Sequence, residues 1–191
     1  MAGKQAKILS DDQVAYVLKA LRKRRYPTRD ELLFLLSIKA GLRAGEIAAL
    51  TWQMVLTASG EIGDVIELHD DAAKKGSGRT VPLNPALRGA LMALAGHSGT
   101  AGYVIKSERG QGMRASSVVN WFSELYCSLG LTGCSSHSGR RTFITKAARL
   151  IYQAGGSLRD VQQLAGHRSI GMTQLYIEGD SPAKRRVVAL L

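Results

Sequence analysis

The order of apolar and polar positions divides the chain into helical stretches interrupted by one short β region. Ser10 followed by Gln13 reads as a capping box, opening a helix that runs to about Arg24. Pro27 interrupts. Thr28 and Glu31 form a second capping box leading into an apolar helix over 31–40, which Gly41 terminates. A short helix over about 45–50 ends at Leu50 and Trp52. The character then changes. Val65-Ile66-Glu67-Leu68 and Thr80-Val81-Pro82-Leu83 have strand composition, and the polar, glycine-rich run from Lys74 to Arg79 between them predicts a hairpin. Pro82 must then lie at an edge or a strand end, because it cannot donate to a ladder. Helical periodicity returns over about 84–95, 115–129, 139–153, 158–165, 170–177 and 182–190, with an extended piece at Tyr103-Val104-Ile105. No repeat and no low-complexity tract is visible. The pattern predicts an α+β chain, mainly α-helical, with one small antiparallel sheet.

Composition narrows the partners. A chain of 191 residues fits one compact domain, or one with a short appendage. With 45% hydrophobic and 21% charged residues it is ordinary globular material. Lys and Arg number 26 against 15 Asp and Glu, so the formal charge is +11. Such a balance suits a polyphosphate partner, either nucleic acid or an anionic membrane surface, and charge alone does not choose. Two cysteines, Cys127 and Cys134, are too few for a disulfide framework, which predicts reduced thiols in a cytoplasmic protein. The basic start MAGKQAK lacks the apolar run of a signal peptide. The greasiest stretch, Leu32 to Leu36, is far short of the roughly 20 residues that span a bilayer. No membrane partner is expected.

Three places carry candidate chemistry. Arg43 follows a helix end, and Glu46, three residues on, can hold one edge of its guanidinium while the other points outward as a fork for phosphate. A surface arginine with an i,i+3 partner would look the same. His137 and Arg140 share one face at a helix start, where the positive end of the dipole suits an anion; capping plus a solvated basic face, with Arg141 and Lys146 following, is the plainer reading. His167 and Tyr176 lie nine residues apart across a Gly-containing turn and a short helix. A tyrosine hydroxyl can be a nucleophile, although a lone tyrosine on a short helix is usually a packing residue.

Taken together, in order and spacing, these residues resemble the catalytic domain of the tyrosine recombinases, the phage-integrase family. Its motifs are G-L-R-x-x-E, a lysine on a β-hairpin, His-x-x-Arg, then Gly-His and a tyrosine nine residues later. They fall here on Arg43, Lys74, His137, Arg140, His167 and Tyr176, and the resemblance covers the chain from about Ser10 to Glu178. It implies that fold, with the sheet carrying the lysine hairpin. Counting back five positions from Arg79, just before Val81-Pro82-Leu83, favours Lys74 as the catalytic lysine, with the adjacent Lys75 in reserve.

The resemblance implies a site-specific DNA recombinase. Tyr176 attacks a backbone phosphate to give a 3′-phosphotyrosyl bond and a free 5′-hydroxyl, without metal, ATP or other cofactor. Arg43 and Arg140 grip the non-bridging oxygens, with Glu46 supporting. Lys74 protonates the departing oxygen, His137 assists proton movement at the nucleophile, and His167 hydrogen-bonds a phosphate oxygen. Lys75, Arg79, Arg141 and Arg168 are expected to contact DNA. The implied partners are double-stranded DNA and further copies of the chain: a monomer in free solution, a tetramer on paired sites, in the cytoplasm and on the nucleoid when bound. Two competing readings stand. A helix–turn–helix rhythm over 158–176 fits a catalytically silent DNA-binding regulator, and the same catalytic set serves type IB topoisomerase-like relaxation.

Two departures accompany the resemblance. Residues 1–9 read as a basic tail before a catalytic domain over 10–179, with no N-terminal DNA-clamping domain; the chain is then either a short recombinase or a fragment. Ala154-Gly155-Gly156-Ser157 lengthens a loop between Arg140 and His167. Residues 180–191 read as a helix with Ser181 as cap and Pro182 at its first position, docking either on its own domain or, as the resemblance implies, on a neighbouring subunit.

Overall fold

The computed structural model describes residues 5–70, 78–178 and 188–189. The candidate lysines Lys74 and Lys75 lie outside the described residues, as does the expected C-terminal helix apart from Val188 and Ala189.

Among the described residues, eight α-helices, α1 (Asp11–Leu21), α2 (Pro27–Lys39), α3 (Ala44–Ala49), α4 (Pro85–Ser98), α5 (Ala115–Ser128), α6 (Ser138–Leu150), α7 (Leu158–Ala165) and α8 (Ile170–Glu178), accompany one antiparallel pair, β1 (Val65–Leu68) and β2 (Arg79–Pro82). The Ser10–Gln13 capping box forms as the sequence predicts. The Thr28–Glu31 box does not. α2 begins at Pro27, with Tyr26 as N-cap and no side-chain cap. Proline at the first helical position has no N–H to lose and a φ already suited to the helix, so Pro27 starts α2. α1 stops at Leu21, short of the expected Arg24, and the Lys23 and Arg24 N–H groups turn back to the carbonyls of Ala20 and Leu21. α6 likewise ends at Leu150, and the glycine stretch after it leads into a capping box at Ser157 that opens α7.

α2 is the central element. Its run from Leu32 to Ile38 is buried, and it packs against α4 and α6, while α3 packs on α5. In the sheet Ile66 opposes Val81 and Leu68 opposes Arg79; Ile66, Leu68 and Val81 face the core, and Pro82 closes the strand opposite Val65. A second, small apolar cluster of Ile144, Ala148, Val161 and Ala165 joins α6 to α7, with Tyr176 of α8 packed against it. Residues 5–9, expected as a tail, are fastened to α6 and the loop before it. Lys7 N–H donates to the Gly133 carbonyl (3.0 Å), Leu9 N–H to Thr142 Oγ1 (2.9 Å), and Arg141 Nη1 to the Ala6 carbonyl (2.8 Å).

The exit from α2 fixes the site's first corner. Gly41 has φ +65°, and a Cβ there would overlap the Phe143 ring. Gly41→Ala is therefore expected to destabilise the protein by about 1–3 kcal/mol, from left-handed backbone strain plus displacement of Phe143. Denaturant unfolding checks this; a change below about 0.5 kcal/mol would show that the turn relaxes freely.

Candidate active site

Gly41 reverses the chain so that Arg43 becomes the N-cap residue of α3 and Glu46 falls in its first turn. Glu46 Oε2 accepts the Arg43 backbone N–H at 2.8 Å, and Oε1 accepts Arg43 Nη1 at 2.6 Å. The carboxylate is only 1% exposed, and a second guanidinium meets it: Arg79 Nη1 and Nη2 donate to Oε1 and Oε2 at 2.9 and 3.0 Å. Burial pushes the Glu46 carboxyl up, but the hydrogen bonds and charge of Arg79, then those of Arg43, outweigh it and hold it down at about 2. Glu46 is ionised at any working pH.

The end of α7 collects the arginines. The last carbonyls of a helix lack intrahelical partners and carry the negative end of its dipole. Here the Leu164 carbonyl accepts Arg79 Nε (2.9 Å), the Ala165 carbonyl accepts Arg140 Nη2 (2.5 Å), and the Gly166 carbonyl takes a longer contact from Arg43 Nη2 (3.5 Å). Gly166 itself adopts φ +59°, the left-handed cap that ends α7 and turns the chain toward His167. Three residues thus anchor guanidinium groups from β2, α6 and the start of α3.

Arg140, in the first turn of α6, also donates Nη1 to the Gly41 carbonyl at 2.6 Å and is 5% exposed. Burial, and after it the charge of Arg43, lowers its pKa to about 10, which leaves it cationic at neutral pH. His137, the N-cap of the same helix, is exposed. His167 is buried, with Nδ1 2.9 Å from Thr173 Oγ1, and its ring stacks on that of Tyr176 at 5.5 Å between centroids and 24° between planes.

Burial, then the charges of Arg140, Arg43 and Arg79, pushes His167 down to about 4. The unfolded chain, titrating near 6.5, binds this proton first, so His167 makes stability fall as pH drops from about 6.5 to about 4. His167→Asn is expected to make that pH dependence shallower in denaturant unfolding. An unchanged slope would mean that His167 titrates normally in the folded state.

Arg43, His137, Arg140, His167 and Tyr176 all line one open cleft of about 510 Å³, and Arg141 lies on its wall. Arg168 borders an adjoining hollow of about 310 Å³, which shares His167 with the cleft. Arg79, expected from the sequence to touch DNA, instead turns a side chain only 6% exposed inward onto Glu46 and Leu164, because a buried carboxylate and an orphan helix carbonyl sit within its reach. The sequence reading missed Thr173, which is fully buried against His167, and the backbone acceptors at residues 41 and 164–166. Gly166 after the periodic run of α7 was the available signal for a capped helix end. Among the described residues, no helix is long and apolar enough to cross a membrane, and no group of three or more His, Cys, Asp or Glu side chains could hold a metal ion.

This mainly helical fold, with its two-stranded sheet, is that of the tyrosine recombinase catalytic domain. The crystal structure of XerA recombinase superposes with a TM-score of 0.77 at 22% identity, over 100% of this chain and 65% of that one. The Tn1549 transposon integrase, in complex with transposon right end DNA, gives 0.72 at 18% identity, over 97% and 66%. XerH bound to a palindromic difH substrate in a post-cleavage complex gives 0.72 at 18%, over 96% and 53%. The chain belongs to the phage integrase family, which its residues 7–181 match. Among curated relatives it is 28% identical over 180 residues to tyrosine recombinase XerC of Xanthomonas campestris pv. campestris, covering 93% of this chain and 52% of the relative. It is 25% identical over 198 residues to a XerC-like recombinase of Caldanaerobacter subterraneus subsp. tengcongensis, covering 86% and 48%. The chain therefore spans about half the length of the curated relatives it matches.

Proposed function

We propose that this chain is the catalytic part of a site-specific DNA recombinase, acting in the cytoplasm on double-stranded DNA through a covalent bond to Tyr176. The observation that carries the reading is the convergence of Arg43, Arg140, His137, His167 and Tyr176 on one cleft. Tyr176 Oη forms a bond to phosphorus, the bond from phosphorus to the 5′-oxygen breaks, and the phosphodiester energy stays in the new link. Arg43 and Arg140 meet the negative charge that grows on the non-bridging oxygens, where one donor is commonly worth about 10²–10³ in rate. Lys74 supplies the proton to the departing 5′-oxygen, and His137, at the rim, relays a proton at the nucleophile.

His167 is neutral at pH 7, so it offers one N–H. To donate to a phosphate oxygen from Nε2, it must accept the Thr173 hydroxyl proton at Nδ1, which the 2.9 Å contact permits. Arg141 and Arg168 extend the basic surface along the duplex, with Lys75 in the same role. On paired sites the protein assembles as a tetramer. The test is incubation of the chain with a nicked suicide duplex and a search for a covalent protein–DNA species that resists denaturation. Adducts on paired sites that go on to exchange strands identify a recombinase, and relaxation of supercoils without exchange identifies a topoisomerase-like enzyme. Tight binding with no adduct on any duplex would leave a DNA-binding regulator.

A further inference from the structure

A carboxylate offers about four lone-pair positions, and all four of Glu46 are used. Oε1 accepts from Arg43 Nη1 and Arg79 Nη1, and Oε2 from the Arg43 backbone N–H and Arg79 Nη2. The two arginines divide the group between them. Arg43 gives Glu46 one side-chain bond, from Nη1, its Nη2 reaches the Gly166 carbonyl only at 3.5 Å, and the residue lines the cleft. Arg79 takes two, and its Nε is committed to the Leu164 carbonyl, so every nitrogen of its guanidinium is engaged inside the protein. Its stem also packs on Gly166, where a Cβ would come within 3.0 Å of Arg79 Cδ.

We propose that Arg79 is a positioning residue for phosphoryl transfer: by occupying half of Glu46, it confines Arg43 to a single-edge contact and keeps the rest of that guanidinium turned to the phosphate. Without Arg79, two carboxylate lone pairs stand empty in a buried place, and a buried acceptor left unsatisfied is costly. The nearest cation is Arg43. Its fork matches a carboxylate bidentately, so it closes onto Glu46 and withdraws from the cleft. Arg79 then acts on the reaction through Glu46 and needs no contact with DNA. This rests on the recombinase reading for the reaction, but not for the geometry.

The experiment compares Arg79→Met and Arg79→Lys in the wild-type and Glu46→Gln backgrounds, using the full chain and a suicide duplex under single-turnover conditions. Arg79→Met is expected to slow adduct formation about 100-fold, the cost of one misplaced transition-state donor. Arg79→Lys, which keeps the charge but not the fork, recovers part of the rate. In the Glu46→Gln background the same Met substitution costs less than about fivefold, because residues acting as one unit are not additive. Equal losses in both backgrounds would overturn the proposal in favour of direct DNA binding by Arg79. Should Arg79→Met not fold, the Lys variant alone carries the comparison.

If the wild-type chain forms no adduct, the recombinase reading fails while the positioning role is still measured. Orthovanadate binding to the cleft, followed by vanadium NMR, should weaken about tenfold with Arg79→Met, on the order of one lost charge-assisted contact, and hardly at all when Glu46→Gln is also present. Equal vanadate affinity with and without Arg79 sinks the idea.

Discussion

Tyr176→Phe is expected to abolish covalent attachment to DNA while leaving non-covalent affinity within about threefold and stability within about 1 kcal/mol. The expectation of a clean separation comes from how the ring is held. It packs on the small cluster of Ile144, Ala148, Val161 and Ala165 and stacks on His167. Phenylalanine keeps both contacts and lacks only Oη. The substitution is therefore expected to remove the proposed nucleophile without disturbing its surroundings, and to leave the proposed phosphate binding by Arg43 and Arg140 in place. A denaturing gel of the reaction with a suicide duplex, beside a binding isotherm and an unfolding curve, reads all three quantities. An adduct formed by the Phe variant would require a different nucleophile, and loss of binding in step with cleavage would mean that Tyr176 is structural.

Arg140→Met should have the largest combined effect on rate and stability. Its guanidinium is nearly buried, and it is the partner of the Gly41 and Ala165 carbonyls. Removing it leaves two buried acceptors unpaired, at about 1–3 kcal/mol each before any relaxation. On the proposed function it also deletes a phosphate ligand, so cleavage should fall by about 10³-fold. A third readout belongs to this residue. After burial, Arg140 is the strongest influence lowering His167, so the variant should raise the His167 titration midpoint above about 4. Single-turnover rates, denaturant unfolding and imidazole NMR titration check the three. A variant that cleaves within tenfold of wild type would remove Arg140 from the phosphate site.

The elements were legible in the sequence wherever a local rule decides them. Gly41 after an apolar run, Ser10 three residues before Gln13, and Pro82 at a strand end are each settled within a few residues. Thr28–Glu31 misled because two local signals competed, and proline at the first helical position prevailed over the capping box. The same division runs through the site. Arg43 and Glu46 are one helical turn apart, so their pairing could be read directly. Arg79 lies 33 residues from Glu46 and 85 from Leu164, and no periodicity announces such a meeting. A basic residue beside a predicted hairpin loop reads as surface charge until the tertiary fold buries it. Thr173 was hidden for a similar reason, since a threonine inside a short helix has many roles and only its contact with His167 selects one.

The consecutive carbonyls at the end of α7 have a consequence for how errors spread through the site. Arg43, Arg79 and Arg140 come from places far apart along the chain, yet all take their reference from the same three peptide groups. A displacement of that helix end is common to all three guanidinium groups, so it is expected to carry Arg43 and Arg140, the proposed phosphate ligands, along together and to conserve much of their spacing. Tyr176, the proposed nucleophile, belongs to the next helix and meets that helix end through the His167–Thr173 hydrogen bond, the stacked rings and its packing near Val161 and Ala165. The motion expected to matter is then that of Tyr176 relative to Arg43 and Arg140. A partner or a DNA geometry that shifts α8 can set the timing of attack without retuning how the phosphate is held.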